Sequence, residues 1–209
     1  MLTTTPRRSG VRSGALLAAA TAVSILAAYV FLRAAGRLLG SGDYGSLAAL
    51  LGLLAIILIP AGALQMAVSR EVSRRLATGD EAGAARISRG TLRAGAIATV
   101  PLLVVMLALA HPLSRLLHIH SVGIVVLAIL SLGTALVFPL AMGVLQGEQR
   151  FDALAVLYVL PWALRLLVLG VVAAAGYKLG GAVFATFVGA VGSAAMAYVQ
   201  KAHALDHYA

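Results

Sequence analysis

The sequence predicts an all-α polytopic membrane protein, built from six transmembrane helices. Of the 209 residues, 61% are hydrophobic and only 11% are charged, and the mean hydropathy is +1.00. This balance is typical of a chain that crosses a bilayer several times and unlike that of a soluble domain. The charged residues also divide the chain into apolar stretches, each close to or above the roughly 20 residues that span a bilayer core.

Six apolar stretches follow one another along the chain. They cover residues 13–39, 44–69, 92–110, 121–146, 153–176 and 179–200. Their connections are short apart from residues 70–91, so no separate soluble domain is expected. We therefore predict a six-helix transmembrane lobe over residues 13–200. Short tails precede and follow it at residues 1–12 and 201–209.

The arginines predict the orientation of these helices. With the amino terminus inside, most basic residues fall on the cytoplasmic side. They are Arg7, Arg8, Arg12, Arg70, Arg74, Arg75, Arg86, Arg89, Arg93, Arg150 and Lys201. The outer side keeps Arg33, Arg37, Arg115 and Lys178. Because basic residues accumulate in cytoplasmic loops, we expect a multi-pass protein of the plasma membrane with both termini in the cytoplasm.

The long cytoplasmic loop, residues 70–91, is expected to be largely helical. The second helix would extend into it, break at Thr78 and Gly79, and give way to a new helix capped by Asp80. Glu81 would lie near the positive end of that helix. Its arginines either bind anionic lipid or a partner, or form an interfacial anchor, and we favour the anchor.

The composition also argues against several classes of function. The formal charge of +9 would suggest nucleic acid in a soluble protein, but these arginines lie in short loops beside a membrane. Membrane lipids are therefore the expected partners, and nucleic acid is not. The chain has no cysteine, no Walker-type loop and no nucleophile with a partner base. His118 and His120 are too isolated for a metal site. We expect no enzyme activity, cofactor or metal.

Arg165 is the most informative single residue. It lies near the centre of the fifth apolar stretch, and no other charge occurs between Asp152 and Lys178. Each of these flanking charges is roughly 20 Å away along a helix axis, which is too far for the side chain to reach the headgroups. All seven acidic residues lie outside the apolar cores. The sequence therefore predicts a mid-membrane cation with no carboxylate at its own depth.

Two aromatic residues share a helix face with this cation. Tyr158, Trp162 and Arg165 are spaced i, i+4 and i+7, and Pro161 removes a backbone donor within the same stretch. Such a face would line a cavity for an anionic, sugar-bearing ligand. The alternative is a structural arginine held by carbonyls and by a cation–π contact with Trp162. Because charges buried in membranes are usually functional, we favour the cavity.

Arg33 and Arg37 form a second candidate site, one turn apart near the outer end of the first helix. Guanidinium groups bind phosphate bidentately, so the pair suits a phosphate ligand. Alternatively, both side chains extend to the headgroups, with Asp43 as an ion-pair partner. The sequence does not separate these two interpretations.

Four segments resemble the amino-terminal half of the polysaccharide-export flippases, a family of the multidrug, oligosaccharidyl-lipid and polysaccharide superfamily. They are RAAGRLLGSGDYGSLAAL, IPAGALQMAVSREVSRR, LQGEQRF and PWALRLLVLG. In that family the first helix ends in an R…LG…YG pattern, and the fifth helix carries an arginine. The resemblance covers most of the chain in order.

The resemblance implies one lobe of a flippase-like bundle. Its function would be to flip or export lipid-linked oligosaccharide or polysaccharide precursors across the plasma membrane, by alternating access between two six-helix lobes. Arg33, Arg37 and Arg165 would then face the central cavity and contact the pyrophosphate or sugars of an anionic lipid-linked glycan. Relatives have about twice as many helices. A second six-helix lobe is therefore expected, either as a homodimer or as a separate chain.

Two alternatives remain at this point. The chain would be half of a cation-coupled multidrug antiporter, although such coupling usually needs an intramembrane carboxylate. Or it would be a truncated or non-transporting membrane scaffold lobe. Its main surface would then be a close-packing stripe of small residues in the sixth helix. The stripe consists of Gly181, Ala185, Gly189, Ser193 and Ala197.

Overall fold

The computed structural model describes residues 7–134, 136–176 and 179–205. Within these ranges the chain is helical apart from short connections. The helices are α1 (Arg7–Ala77), α2 (Glu81–Ala108), α3 (Ala110–Leu116), α4 (Val122–Ser131), α5 (Val137–Gly147), α6 (Phe151–Ala174) and α7 (Leu179–Leu205). A 3₁₀ turn, Leu132–Thr134, follows α4. The outer parts of the predicted tails, residues 1–6 and 206–209, lie outside the described residues, as does Lys178.

The first helix, α1, contains the first two predicted spans and is interrupted at Gly40. This residue has φ 75° and ψ 176°, a backbone conformation that is essentially limited to glycine. Side chains from both sides of the break come together. The Tyr44 ring packs on Gly36, where an added Cβ would lie 3.5 Å from it, and Phe31 and Leu50 belong to one core cluster. In a straight helix Phe31 and Leu50 would be roughly 28 Å apart. We therefore describe α1 as two arms, residues 7–39 and 41–77.

The start of α2 agrees with the sequence prediction. After α1 ends, Gly79 adopts a positive φ of 76°, and Asp80 becomes the N-cap residue of α2. One oxygen of the Asp80 carboxylate accepts a hydrogen bond from the Gly83 amide at 2.9 Å. The other accepts from Nη1 of Arg75, also at 2.9 Å. Asp80 thus caps α2 and joins it to the end of α1.

Replacing Asp80 by Ala is expected to loosen the first turn of α2. Loss of an N-cap costs about 1 kcal/mol, equivalent to a roughly fivefold increase in local opening. Hydrogen exchange measured over residues 78–86 should accelerate accordingly. Glu81→Ala is the matched control, because it removes a neighbouring carboxylate without removing the cap. Equal exchange in both variants would contradict the capping role.

The fourth apolar stretch differs from the prediction, because it contains two helices instead of one. Between α4 and α5 lie the 3₁₀ turn and its neighbours. Gly133 favours helix weakly, and Pro139 has no amide N–H to donate. At the break, the Ser131 hydroxyl donates to the Leu127 carbonyl at 3.2 Å. The Thr134 hydroxyl donates to the Ser131 carbonyl at 3.1 Å. These bonds satisfy backbone oxygens at a depth where lipid offers no donor.

The helices approach one another closely through small residues. The predicted stripe in the last helix is buried along its whole length, which confirms it as a packing face. Within the stripe, Gly189 lies against Arg165 and Pro161 of α6, and one turn on Gly192 lies against Leu164. Between α5 and the second arm of α1, Gly143 lies against the backbone of Gln65.

Large apolar side chains cover much of the outer surface. Ile59 is 74% exposed, Met66 70% and Leu116 72%. A soluble protein rarely carries so much exposed apolar surface, whereas a bilayer covers it with lipid tails. Among the described residues, five helical segments are long and apolar enough to cross a membrane. The first comprises both arms of α1, and the third comprises α4 together with α5. The chain is an all-α polytopic membrane protein, as the sequence predicts.

Candidate functional site

A half-open cavity of roughly 360 Å³ lies between helices of the bundle. Its walls come from the second arm of α1, the break between α4 and α5, and the facing sides of α6 and α7. Arg165 and Trp162 contribute from α6. The remaining polar side chains of the lining are Gln65, Ser131, Thr134, Thr186 and Ser193. The break in the fourth span therefore opens onto this cavity, where irregular backbone in a membrane is tolerated.

The guanidinium group of Arg165 is positioned by an aromatic stack. Its central carbon lies 4.5 Å from the ring centroid of Trp162, within the distance of a cation–π interaction. Trp162 packs in turn on Phe31 of the first arm of α1, with the ring centroids 6.3 Å apart in an edge-to-face arrangement. The packing of Trp162 on Phe31 thus fixes the ring that contacts the guanidinium group of Arg165.

One nitrogen of Arg165 lacks a hydrogen bond. Its Nε is buried and has no hydrogen-bond partner among the described residues. A buried donor without an acceptor is costly, and native proteins keep few of them. The cation–π contact compensates part of the charge but supplies no lone pair to Nε. Nε is therefore an unsatisfied donor packed against Gly189 of α7, where an added Cβ would lie 3.2 Å from it.

A glycine makes room for the Arg165 side chain. A Cβ added to Gly189 would lie 2.7 Å from Cγ of Arg165 and 2.8 Å from the carbonyl oxygen of Pro161. Neither distance is compatible with ordinary van der Waals contact. The Arg165 side chain therefore passes α7 at Gly189, a stripe position that has no side chain.

The other polar groups of the lining add no charge. The Thr186 hydroxyl donates to the Ala182 carbonyl at 3.1 Å, and the Ser193 hydroxyl donates to the Gly189 carbonyl. Gln65 approaches Gln146 with a long contact of 3.4 Å between Nε2 and Oε1. Among the described residues that line the cavity, Arg165 alone is charged. The cavity is therefore electropositive.

The structure brings together some of the predicted site residues. Trp162 and Arg165 line the same cavity. Tyr158 lies one turn earlier and packs against the cluster around Leu154 and Leu157, outside the lining. Arg33 and Arg37 are exposed on the first arm of α1 and also lie outside it. The roles of these five residues in ligand binding stay predictions.

The sequence did not identify the hydroxyl groups of the cavity. Serine and threonine occur throughout membrane helices, because their hydroxyls bond to carbonyls of the preceding turn. Nothing local distinguishes Ser131 or Thr186 from such residues. The one available signal was a glycine, Gly133, and a proline, Pro139, within a single apolar stretch, which together mark a broken helix.

Comparison with known proteins gives matches at the level of structure. No family model matches the chain, and no curated protein matches it. One similar solved structure is a MOP superfamily transporter from Pyrococcus furiosus, described as having a binding pocket of reverse polarity. It has a TM-score of 0.75 and 18% identity, over 88% of this chain and 43% of that chain. Another is a multidrug resistance MATE family transporter of the MOP superfamily in an outward-facing conformation. Its TM-score is 0.74 and its identity 19%, with the same coverage of 88% and 43%.

These matches define the fold. This chain spans less than half the length of the two transporters that it resembles. Both transporters belong to the superfamily that the sequence resemblance indicates, and the fold expected from that resemblance is confirmed. Membership of the superfamily and of its polysaccharide-export family stays a prediction. The chain has the fold of roughly half of a MOP superfamily transporter.

Proposed function

We propose that this chain is one lobe of a membrane transporter that flips or exports an anionic, lipid-linked glycan across the plasma membrane. One observation carries the proposal. Arg165 lies in a cavity with no other charged side chain in its described lining, and its buried Nε lacks an acceptor. Because the guanidinium fork matches phosphate oxygens, a phosphate or pyrophosphate group suits this position.

The size of the cavity limits what one lobe would bind. A volume of roughly 360 Å³ is near the lower end of the range for small-molecule pockets, about 300–1,000 Å³. It holds one anionic group with its nearest neighbours, and not an entire lipid-linked glycan. The remainder of the substrate would contact a second six-helix lobe, supplied by a second copy or by a separate chain. This chain covers 43% of each similar transporter, and a second lobe would correspond to the remaining length of those proteins.

Half of a cation-coupled multidrug antiporter is the second candidate. This chain is similar in fold to a multidrug resistance MATE family transporter, with a TM-score of 0.74. The fold therefore supports the antiporter candidate as strongly as the flippase candidate. The chemistry of the cavity favours the anionic ligand. A coupling cation or a cationic drug needs a carboxylate to offset its charge in the membrane, and the described lining contributes arginine instead.

A binding comparison on the purified chain in lipid nanodiscs separates these candidates. Farnesyl pyrophosphate represents the anionic lipid-linked substrate, farnesol is its uncharged counterpart, and tetraphenylphosphonium represents a cationic drug. We expect farnesyl pyrophosphate to bind at least roughly tenfold more tightly than farnesol, since a charge-assisted hydrogen bond contributes about 1.5–3 kcal/mol. Preferential binding of tetraphenylphosphonium would contradict the proposal and favour the antiporter. Binding of none of the three would favour the scaffold.

A further inference from the structure

A second cavity, of roughly 380 Å³, opens on the outside of the bundle between α2, α5 and α7. Its lining is apolar apart from Arg89, Arg93 and the hydroxyl of Tyr198. The two arginines are one turn apart on α2, and both are exposed. We call this cavity the α2–α5–α7 groove. Among the described lining residues, it shares Phe138 alone with the cavity that contains Arg165.

The groove extends from the polar end of a membrane span into its apolar part. Arg93 is the last charged residue before the apolar run of α2. The α2 wall of the groove runs from Arg89 to Ala96, a rise of roughly 10 Å. Arginines at the end of an apolar span lie at headgroup level. The other end of the groove therefore reaches the depth of the acyl chains.

Small residues create the space in the groove. Ala141 of α5 and Ala194 and Ala197 of α7 form part of its wall, and none of them fills the gap between the helices. Tyr198, which is 78% exposed, lies beside them. Tyrosine is enriched at membrane interfaces, where its ring contacts apolar groups and its hydroxyl contacts water.

The two arginines are available to an external anion. The ion pairs that Arg74 and Arg75 form with Glu71 and Asp80 do not involve Arg89 or Arg93. Two guanidinium groups one turn apart bind the oxygens of one phosphate well. An apolar channel that begins at such a pair matches a molecule with one negative headgroup and a hydrocarbon chain.

We propose that the α2–α5–α7 groove is a specific binding site for one acidic phospholipid. The lipid phosphate contacts Arg89 and Arg93, and one acyl chain lies along the apolar wall past Ala194. This site goes beyond the proposed transport function and does not depend on it. Phosphatidylcholine is a weak ligand here, because its choline group offsets the phosphate charge next to the two arginines.

Phe138 connects the α2–α5–α7 groove to the cavity of Arg165. Its side chain lines both the groove and the cavity of Arg165. An acyl chain in the groove would therefore pack on a residue that also lines the cavity of Arg165. Occupancy of the groove would restrict the rotamers of Phe138 and so stabilise one shape of the cavity. This consequence, unlike the binding site itself, rests on the proposed function.

Native mass spectrometry of the detergent-solubilised chain tests the site. The probes are phosphatidylglycerol and phosphatidylcholine with identical acyl chains, and inorganic phosphate is the competitor. We expect phosphatidylglycerol to be retained at one molecule per chain and phosphatidylcholine to be lost. The double variant R89Q/R93Q should reduce retention of phosphatidylglycerol at least roughly tenfold, since two charge-assisted contacts are removed. Inorganic phosphate should not displace the lipid, because it lacks the acyl chain.

Two further variants distinguish the groove from a general basic surface. R86Q/R115Q removes the same charge from exposed arginines outside the groove and should retain the lipid. Ala194→Phe fills the apolar wall while both arginines remain, and it should release the lipid. Equal loss in R86Q/R115Q and R89Q/R93Q would overturn the proposal, as would full retention in Ala194→Phe. Arg165→Gln should leave lipid retention unchanged. A failure of the transport proposal can therefore be distinguished from a failure of the lipid-site proposal.

Discussion

Replacing Arg165 by Gln is expected to weaken binding of farnesyl pyrophosphate by roughly 10- to 150-fold. This range corresponds to the about 1.5–3 kcal/mol of a hydrogen bond to a charged group. Gln retains a donor and much of the length of the side chain but loses the charge and the planar fork. The measurement is equilibrium binding to the purified chain in nanodiscs, with the thermal unfolding midpoint recorded for each variant.

The stability measurement separates a binding role from a structural one. In the free protein, Nε of Arg165 is buried without an acceptor, so its removal relieves a desolvation cost while it forfeits the contact with Trp162. We expect an unfolding midpoint close to that of the wild type. A large drop in midpoint with unchanged binding would show that Arg165 serves packing alone. Arg165→Lys should bind with intermediate affinity, because it keeps the charge without the fork.

Arg115→Gln is the matched control for this experiment. Arg115 is an exposed arginine of α3 that does not line the cavity, so the substitution removes the same charge outside it. Exposed charges beyond a Debye length are largely screened at physiological ionic strength. Farnesyl pyrophosphate should therefore bind Arg115→Gln as tightly as the wild type. A comparable loss in both variants would mean that net charge, and not the cavity, attracts the ligand.

Replacing Gly189 by Ala should have the second largest effect. The added Cβ would lie 2.7 Å from Cγ of Arg165 and 2.8 Å from the carbonyl of Pro161, so α6 and α7 must separate or Arg165 must move. Overpacking of this kind typically costs about 1–3 kcal/mol. We expect a lower unfolding midpoint and weaker binding of farnesyl pyrophosphate. The thermal unfolding midpoint and equilibrium binding in nanodiscs are measured as for Arg165→Gln.

Gly170→Ala provides the control for Gly189→Ala. Gly170 is an exposed glycine of α6, and an added Cβ there would meet no atom within 4 Å. Alanine is favoured over glycine inside a helix by roughly 0.5–1 kcal/mol. This variant should therefore be as stable as the wild type or more so. Equal unfolding midpoints for Gly170→Ala and Gly189→Ala would contradict the close packing of α6 against α7 at Gly189.

The sequence by itself determined the features that arise within one segment. Hydropathy located the spans, because a bilayer core requires about 20 apolar residues of each. Asp80 marked the start of α2, because a capping carboxylate bonds to the amide three residues later. The four-residue spacing that begins at Gly181 marked the buried face of α7, because that period repeats along one side of a helix. Each of these features depends on neighbours in sequence.

Only the tertiary structure decided the features that depend on which helices meet. It divided the fourth span at Leu132–Thr134 and turned the break toward a cavity. It also separated Trp162 and Arg165 from Tyr158, although all three share a helix face in sequence. The spacing of residues predicts that a charge lies at mid-membrane, but it does not predict which residues surround that charge. The surroundings of Arg165 come from Phe31 on α1 and Gly189 on α7, which lie far away along the chain and reach it only by packing.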